Sequence, residues 1–376
     1  MKQNSVLFIN SGELPIPARS GGAIQQVLQN IAKGLVLRKW KVGVLTTSNS
    51  ESLSAQKSYP ENHITWHSIL GKVQSGGITG IVQSKLSIKK SLNKISPQEY
   101  ENVIIFDPYL APEVHSWNPN AKIIWSAHNV RDKSAFLVNH WCKHVDTIAS
   151  VSEFLKGSIE NTLKQSLKRK HIVLHNPLPS EWFTNEKQIQ RKKNSVLFCG
   201  RIVPQKGLDI LIKAIMLLPE HLKATLELGI AGGTHFLGSK ENAYSISLKK
   251  LLDESGVNYK LLGFINNDQL YQVYDEYEIL VIPSNWAEPA PLVAGEGQAR
   301  DCKIISSTAG GLPELVAPYW RDYLVKPGEP LLLKEALVRM FREKHYNYSN
   351  EVKTWLSNER DMNKILDKWG EIMKVN

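Results

Sequence analysis

Short apolar runs rich in β-branched residues alternate with longer amphipathic stretches along the chain. In the first half, the apolar runs lie at residues 6–9, 42–45, 103–106, 123–125 and 172–174. Between the first two runs, Ala23–Leu37 repeats apolar residues at helical spacing, which predicts a helix with one buried face. Strands that alternate with helices in this way are typical of a parallel sheet covered by helices on both faces.

The alternation stops in a polar stretch that contains Pro177 and Pro179, and then it restarts. Further strands are predicted at residues 196–199, 226–231, 259–262, 279–283 and 303–306, with helical stretches between them. A chain of 376 residues is also long enough for two domains. We therefore predict an α/β fold with two doubly wound, Rossmann-like domains that face a cleft, in which ligands bind at the carboxyl ends of the strands.

The same pattern predicts where each domain begins and ends. The N-terminal domain is expected over residues 1–176, the linker over 177–194 and the C-terminal domain over 195–348. Residues 349–376 are apolar at helical spacing and include Trp355 and Trp369. They predict one or two terminal helices that can pack back on the N-terminal domain.

The net charge of +10 is concentrated in the first half of the chain. Residues 1–200 contain 25 Lys and Arg against 13 Asp and Glu. Such a surface suits an anionic partner, namely nucleic acid, acidic lipid or a phosphorylated ligand, although a merely solvated basic surface fits equally well. No zinc finger, RNA-recognition signature or basic zipper occurs, so nucleic acid is not an expected partner.

Cysteine spacing and hydropathy indicate the compartment. Cys142, Cys199 and Cys302 lie far apart with no C-x-x-C pair, so neither a disulfide framework nor a cysteine-based zinc site is expected. No apolar run reaches the roughly 18 residues that cross a bilayer, and the start of the chain does not resemble a signal peptide. We therefore expect a reducing, cytoplasmic location.

Two loops that follow predicted strands have the features of anion-binding sites. Gly21 and Gly22 precede the helix at Ala23, where free backbone N–H groups attract phosphate or carboxylate, although a plain tight turn explains them equally well. Neither a dinucleotide fingerprint nor a P-loop fits this segment. After the strand at residues 196–199, Arg201 and Lys206 flank a turn that opens a helix, so two cations and a helix N-terminus can converge on one anion.

A third loop places two glutamates eight positions apart across a strand-to-helix junction. Glu288 lies in the loop, and Glu296 lies in the first turns of the following helix. A carboxylate on a helix that faces a cleft can accept hydrogen bonds from the vicinal hydroxyls of a sugar. The spacing alone does not distinguish this role from that of two surface glutamates.

The order of three motifs is more specific than any one of them. Gly-Arg-x4-Lys-Gly at residues 200–207 is followed by Pro-Ser-x3-Glu-x7-Glu at 283–296 and by Gly-Gly-Leu-Pro-Glu at 310–314. This order resembles family 4 retaining glycosyltransferases, which have the GT-B fold. The resemblance spans nearly the whole chain, and residues 262–265 also look like the turn with which that family binds the donor base.

The resemblance implies a role for each matching residue. Arg201 and Lys206 would hold the diphosphate of a nucleotide-sugar donor, and Glu288 a hydroxyl of its sugar. Glu296 would bind the ribose hydroxyls. The other implied donor-site residues are Gly21, Gly22, Gly200, Ile265, Leu292 and Val293, together with His128, which matches a histidine that contacts the donor sugar.

Two positions depart from the family pattern. Asn129 stands where many relatives have aspartate, so a charge role there is not expected. Ala290 and Pro291 replace a frequent Phe-Gly, and because proline has no N–H, one backbone donor is missing from the sugar pocket.

The expected reaction is transfer of a sugar with retained configuration, in the assembly of cell-surface polysaccharide or glycoconjugate. No Asp-x-Asp pair occurs, so we expect no metal and no other cofactor, with Arg201 and Lys206 neutralising the leaving diphosphate. No obvious carboxylate nucleophile is present, which favours attack from the leaving-group face. The alternatives are a non-catalytic coat or surface protein that kept the fold, a nucleotide-sugar epimerase and a dehydrogenase. The absence of a dinucleotide-binding fingerprint counts against the dehydrogenase.

The basic first half is expected to receive a glycan or lipid-linked acceptor. Lys85, Lys89, Lys90 and Lys94 have a spacing that places three or four of them on one helical face, with Leu86, Ile88 and Leu92 as an apolar side. This pattern predicts peripheral contact with an anionic membrane at its inner face. An ordinary surface helix is the alternative.

Overall fold

The computed structural model describes residues 3–17, 22–57, 63–73, 77–129, 135–163, 170–183, 191–233, 243–343 and 348–373. The chain forms two compact units. Unit 1 contains Met1–Pro177 and Met362–Asn376, and unit 2 contains Leu178–Asp361. No helix within these described ranges is both long and apolar enough to span a membrane.

Unit 1 is built on a seven-stranded parallel sheet in the order β3-β2-β1-β4-β5-β6-β7. The strands are β1 (Ser5–Ile9), β2 (Lys41–Thr46), β3 (Ile64–Ser68), β4 (Asn102–Ile105), β5 (Lys122–Ala127), β6 (Thr147–Ser150) and β7 (Lys170–Val173). The helices that connect them are α1 (Ala23–Leu37), α2 (Ser50–Lys57), α3 (Gly77–Leu92), α4 (Ala111–Trp117), α5 (Ala135–Cys142) and α6 (Glu153–Leu163). The strand order reverses at β1, as it does in a doubly wound sheet.

Unit 2 contains a six-stranded parallel sheet in the order β10-β9-β8-β11-β12-β13. Its strands are β8 (Lys192–Cys199), β9 (Glu227–Ala231), β10 (Asn258–Gly263), β11 (Tyr277–Ile282), β12 (Lys303–Ser307) and β13 (Leu324–Val325). Its helices are α7 (Leu208–Met216), α8 (Glu220–Lys223), α9 (Ala243–Ser255), α10 (Leu270–Glu276), α11 (Leu292–Ala299), α12 (Leu312–Leu315), α13 (Pro330–Arg342) and α14 (Ser349–Arg360). The prediction of two doubly wound, Rossmann-like sheets is confirmed.

A final helix, α15 (Met362–Ile372), returns the chain to unit 1. It packs on α1 so closely that a Cβ atom at Gly34 would lie 2.4 Å from Leu366 Cδ1. At the crossing, the Leu178 N–H donates to the Arg360 carbonyl over 2.9 Å, and Leu178 pairs with Asp361 in an isolated bridge. The two chain segments that connect the units therefore lie side by side at residues 178 and 361.

These boundaries differ from the ranges expected from the sequence. Residues 192–194, which were placed in the linker, form the start of β8 and pair with β11. Of the terminal residues 349–376, those in α14 belong to unit 2, and only those from Met362 onward belong to unit 1. The cause is the break between α14 and α15, which the helical spacing of apolar residues does not reveal.

The predicted apolar side of α3 is right for Leu86 and wrong for Ile88 and Leu92. Ile88 and Leu92 are fully buried. The apolar residues on the open face are Leu86 together with Ile78 and Val82, which are 64%, 79% and 50% exposed. Lys89 and Lys90 continue this face, whereas Lys85 lies beside α4 and pairs with Glu113 over 3.1 Å.

Candidate functional site

The loops that follow β8, β9 and β10 are tied to one another by their backbones. Gly200 N–H donates to the Ala231 carbonyl over 2.9 Å, and Gly232 N–H donates to the Gly263 carbonyl over 2.7 Å. Gly232 has a φ of +143°, and a Cβ atom there would lie 1.8 Å from the Gly200 carbonyl oxygen. These carboxyl-end loops therefore form one connected surface, which is where parallel sheets bind ligands.

The loop after β8 brings Lys206 toward the loop after β11. Lys206 ends a short 3-10 turn at Pro204–Lys206, and Gly207, with a φ of +70°, is the N-cap of α7. A Cβ atom at Gly207 would lie 2.1 Å from the Pro283 carbonyl oxygen, so only glycine allows this approach. Lys206 Nζ then donates to Glu288 Oε1 over 2.5 Å.

Glu288 is buried and held on three sides. Its Oε1 also accepts a hydrogen bond from Ser284 Oγ over 2.7 Å, and its carbonyl accepts one from the Gly311 N–H over 2.7 Å. Gly310 has a φ of +64°, and a Cβ atom there would lie 2.5 Å from the Glu288 nitrogen. The Gly-Gly-Leu-Pro-Glu motif thus fixes the position of this carboxylate, whose Oε2 accepts no hydrogen bond from the described residues.

Glu296 has different surroundings. It lies in α11, is 5% exposed, and its Oε2 accepts a hydrogen bond from the Tyr274 hydroxyl over 3.0 Å. Burial raises the pKa of Glu296 to about 7, and the Tyr274 hydrogen bond and the charge of Arg360 act in the opposite direction. The carboxylate is therefore close to half-protonated near neutral pH, which the spacing of two glutamates did not indicate.

The remaining unit 2 candidates line the same loops. Arg201 is exposed, and Ile265 is half-buried in the loop after β10. Leu292 and Val293 form the first turn of α11, where backbone N–H groups have no intrahelical acceptor. Gly200 begins the loop after β8. Groups of three or more His, Cys, Asp or Glu side chains that could hold a metal ion do not occur among the residues that the structure describes.

His128 follows β5 in unit 1. Its Nε2 lies 3.0 Å from Ser126 Oγ, and its ring lies 5.3 Å from that of Phe106. Burial lowers the pKa of His128 to about 3, so the imidazole is neutral at physiological pH. It can exchange hydrogen bonds with a neutral hydroxyl group, and it supplies no positive charge.

Gly22 and a cavity lie at the same edge of the first sheet. Gly22 caps α1 with a φ of +99°, and a Cβ atom there would lie 2.4 Å from Gln25 Oε1. Gly21 lies outside the described residues. A cavity of about 400 Å³ is lined by residues that follow β1, β2 and β3, among them Glu13, Thr47, Ser48 and Lys72.

Three residues at the site were missed by the sequence reasoning. Ser284 lies inside a motif, so its position was available, but its hydrogen bond to Glu288 was not. Tyr274 and Arg360 come from α10 and α14, and no local pattern marks either of them. Their proximity to Glu296 depends on how three separate helices pack.

Comparison with known proteins gives a family match for the second unit. Residues 180–356 match the family described as glycosyl transferases group 1. The chain is 25% identical, over 82% of its length and 76% of the relative's, to the putative glycosyltransferase YtcC of Bacillus subtilis. It is 24% identical, over 85% of each chain, to spore coat protein SA of the same organism.

Solved structures match the fold over the whole chain. The HepE protein of Anabaena in complex with UDP superposes with a TM-score of 0.78 at 16% identity, over 98% of this chain and 99% of that one. The same protein with UDP-glucose gives a TM-score of 0.75 at 16% identity, over 98% of each chain. The likeness to these structures shows the fold, a Rossmann-like architecture of the GT-B type, and the family match is confined to residues 180–356.

Proposed function

We propose that this protein is a retaining glycosyltransferase that moves a sugar from a nucleoside diphosphate sugar to a glycan, lipid-linked or protein acceptor. The observation that carries the proposal is the pairing of Lys206 with Glu288 where the loops of the second sheet meet. The Lys206 ammonium suits phosphate, and the Glu288 carboxylate suits sugar hydroxyls. Both lie inside the segment that matches glycosyl transferases group 1.

The diphosphate would lie against Lys206 and Arg201. The Lys206 ammonium has three N–H donors, of which Glu288 takes one, so further donors remain for phosphate oxygens. The N–H groups in the first turn of α11, at Leu292 and Val293, would add the positive end of a helix. These charges count most when the nucleoside diphosphate leaves, because negative charge then develops on its phosphate oxygen.

The sugar and the nucleoside would lie on either side of that diphosphate. Glu288 Oε2 would accept from a hydroxyl of the donor sugar, and Glu296 would accept from the ribose hydroxyls. The turn at Ile265, with Gly200 beside it, would contact the base. His128, which is neutral, would hydrogen-bond a hydroxyl group of the donor sugar, and Gly22, at the start of α1, would leave room for a phosphate.

Retention of configuration would follow from attack by the acceptor hydroxyl on the face that the diphosphate leaves. Oε1 of Glu288 is occupied by Lys206 and Ser284, and the buried Glu296 accepts a hydrogen bond from Tyr274. With Glu288 Oε2 engaged by a sugar hydroxyl and Glu296 by the ribose, neither glutamate would serve as the nucleophile of a two-step displacement. Arg201 and Lys206 would supply the positive charge that a divalent metal supplies elsewhere, so we expect activity to survive a chelator.

Unit 1 would hold the acceptor. It carries 24 Lys and Arg against 13 Asp and Glu, and its cavity at the carboxyl ends of β1, β2 and β3 contains hydroxyl and charged groups. That combination suits an anionic or polyhydroxylated acceptor. Assembly of cell-surface polysaccharide or glycoconjugate on the cytoplasmic side would supply such an acceptor.

The open face of α3 would contact an anionic membrane. Ile78, Val82 and Leu86 form an apolar row one turn apart, and the exposed Lys89, Lys90 and Lys94 follow it. Apolar side chains beside lysines suit the boundary between acyl chains and anionic headgroups. Each lysine near such a surface contributes about 1 kcal/mol, and salt screens the attraction.

Liposome co-sedimentation tests the membrane contact. Binding should require anionic lipid, weaken with salt, and fall when Lys89, Lys90 and Lys94 become glutamine. Lys85→Gln is the matched control and should bind as the wild type does, because Lys85 is paired with Glu113. If the protein does not bind anionic liposomes even at low salt, the membrane contact is wrong. The acceptor would then be a soluble glycan or a protein.

The decisive test of the enzyme is donor binding followed by turnover. UDP-, GDP- and ADP-sugars are screened for thermal stabilisation, and the best donor is then tested for transfer and for slow hydrolysis. Glu296→Ala should weaken donor binding by about 1.5–3 kcal/mol, or roughly tenfold to a hundredfold. Unchanged donor affinity in the folded variant would remove Glu296 from the site.

The cations separate binding from chemistry. Arg201→Ala and Lys206→Ala should raise the barrier by about 2.7–4 kcal/mol while weakening nucleoside binding less. Near-normal turnover in the double variant would contradict the assignment. A wild-type protein that binds donor without transfer or hydrolysis would instead be a non-catalytic protein, and one that converts donor without acceptor would be an epimerase.

A further inference from the structure

Arg360 is a buried arginine that lies against α11, the helix that contains Glu296. It ends α14, is 1% exposed, and lies against α11 at Gly295. A Cβ atom at Gly295 would lie 2.0 Å from Arg360 Nη1 and 3.2 Å from its Cζ. The guanidinium therefore fits only because position 295, next to Glu296, has no side chain.

The guanidinium has no direct hydrogen-bond partner. Within the part of the chain that the structure describes, Nη1 and Nη2 of Arg360 are both buried and unpartnered. Burial lowers the pKa of Arg360 to about 10, and Glu296 is the first of three carboxylates that act against this, ahead of Glu314 and Glu359. Because a buried charge without compensation is strongly unfavourable, the charge of Arg360 depends on the negative charge of these carboxylates, and most on that of Glu296.

The ionisable groups around Glu296 come from three other elements. Tyr274 on α10 donates to Glu296 Oε2, Cys199 at the end of β8 lies close to both, and Arg360 comes from α14. Burial raises the pKa of the Cys199 thiol to about 12 and that of Tyr274 well above its usual value, so both stay neutral. Arg360 is therefore the cation that favours the ionised form of Glu296.

We propose that Arg360 is a positioning residue of the donor site, whose buried guanidinium favours the ionised form of Glu296, the form that accepts the ribose hydroxyls. The inference rests on the proposed role of Glu296. The backbone of Arg360 also binds the neighbouring connecting segment, since its carbonyl accepts a hydrogen bond from the Leu178 N–H over 2.9 Å. Arg360 thus joins the nucleoside end of the site to the backbone at which the chain leaves unit 2.

The first test is the pH profile of nucleotide affinity. UDP is titrated calorimetrically between pH 5 and 9, with GDP or ADP instead if the wild type prefers either. In Arg360→Met the midpoint should rise by about one pH unit, and affinity near pH 7 should fall up to about tenfold, because a nearby cation lowers a carboxyl pKa by 1–3 units. Arg360→Lys keeps the charge and should recover most of the wild-type profile.

Two controls separate positioning from simple structural damage. Arg300→Met removes another buried arginine of unit 2, one that pairs with Asp275 over 2.5 Å, and it should leave the midpoint unchanged. In a Glu296→Gln background, Arg360→Met should have no further effect on UDP affinity. Equal losses with and without the Glu296 carboxylate would overturn the proposal.

A readout without ligand keeps the proposal independent of the donor. Infrared difference titration, with Glu296→Gln as the reference, follows ionisation of the Glu296 carboxyl directly. Arg360→Met should raise its pKa, and an unchanged value would overturn the proposal. If no protein, including the wild type, binds a nucleoside diphosphate, the proposed function fails while this titration still decides the role of Arg360.

Gly295→Ala provides a second variant should Arg360→Met not fold. The new Cβ atom would displace Nη1 from the space that glycine leaves, so the carboxyl pKa should move in the same direction. A folded Gly295→Ala protein with the wild-type titration would count against the proposal as firmly as the arginine variant.

Discussion

Glu288 and Glu296 lie eight residues apart in the sequence, yet unit 2 places them in opposite surroundings. Glu288 lies in a loop and has a lysine ammonium 2.5 Å from Oε1. Glu296 lies in a helix, where the Tyr274 hydroxyl donates a hydrogen bond to it. The cation that interacts with Glu296 is the guanidinium of Arg360, which belongs to α14. Both are buried, so exposure does not distinguish them.

The difference teaches that one motif combines two kinds of carboxylate. Lys206 compensates the charge of Glu288 directly, so removing the lysine leaves an anion without its partner. Burial dominates at Glu296, so its charge depends on pH close to neutrality. The first glutamate should therefore respond most to loss of its partner, and the second should respond most to pH.

Loss of Lys206 should have the largest effect. In Lys206→Met the buried Glu288 loses its cation, and the free energy of unfolding should fall by about 3–5 kcal/mol. Urea unfolding measures this change. Lys206→Met/Glu288→Gln should recover much of the loss, because no buried charge then remains.

Lys303→Met is the matched control for that prediction. Lys303 is also nearly buried, and it pairs with Glu278 over 2.8 Å, but Glu278 is more exposed than Glu288 and can turn to water. Lys303→Met should therefore lower the free energy of unfolding by less than Lys206→Met does. Equal losses in the two variants would mean that burial of the carboxylate does not determine the cost.

The pH dependence of stability should come next in size. The pKa of Glu296 is raised from 4.5 to about 7 on folding, so between these values the folded chain holds a proton that the unfolded chain has lost. The stabilisation of the folded state by this bound proton is present in full below pH 4.5 and is lost as the pH rises to about 7. The free energy of unfolding should fall by roughly 3 kcal/mol over this range. Glu296→Gln should flatten this slope in urea unfolding, and parallel curves for the two proteins would contradict it.

Much of the fold could be predicted because most strands are continuous apolar runs. Three strands, β3, β6 and the two-residue β13, lack such runs and are not predicted. β3 lies at the sheet edge with Thr65 exposed, and β6 has only four residues, with threonine and serine at its ends. Edge strands and short strands need less apolar sequence, so hydropathy alone does not reveal them.

The loops of the site could be predicted, but their contacts could not. Each motif follows a strand, and parallel strands bring such loops to one edge. The bond between Lys206 and Glu288 joins residues 82 positions apart and exists because β8 lies beside β11. The sequence predicts Glu296 on a helix that faces a cleft, but it does not reveal the partners of this buried carboxylate, because Tyr274 and Arg360 come from α10 and α14.

Gly310→Ala should have an intermediate effect on the Glu288 side of the comparison. The variant combines a φ of +64° with a Cβ atom 2.5 Å from the Glu288 nitrogen, so the steric contact should cost about 2 kcal/mol beyond the strain in φ alone. Gly256→Ala is the matched control, since its φ is +66° and its Cβ would meet nothing within 4 Å. Thermal unfolding of both variants measures the difference, and equal losses would show that contact with Glu288 is unimportant.

Tyr274→Phe should have the smallest effect, and it examines the Glu296 side. It removes the 3.0 Å hydrogen bond to Oε2 and should cost about 1 kcal/mol in urea unfolding. The cost should be larger at pH 8 than at pH 5, because a hydrogen bond to an ionised carboxylate is stronger than one to a neutral carboxyl. Tyr259→Phe removes a comparable 2.8 Å bond to Asp253 at the surface, where water replaces it, and should cost less. A cost for Tyr274→Phe that does not change with pH would mean that Glu296 does not titrate in this range, and the contrast between the two glutamates would then rest on Lys206 alone.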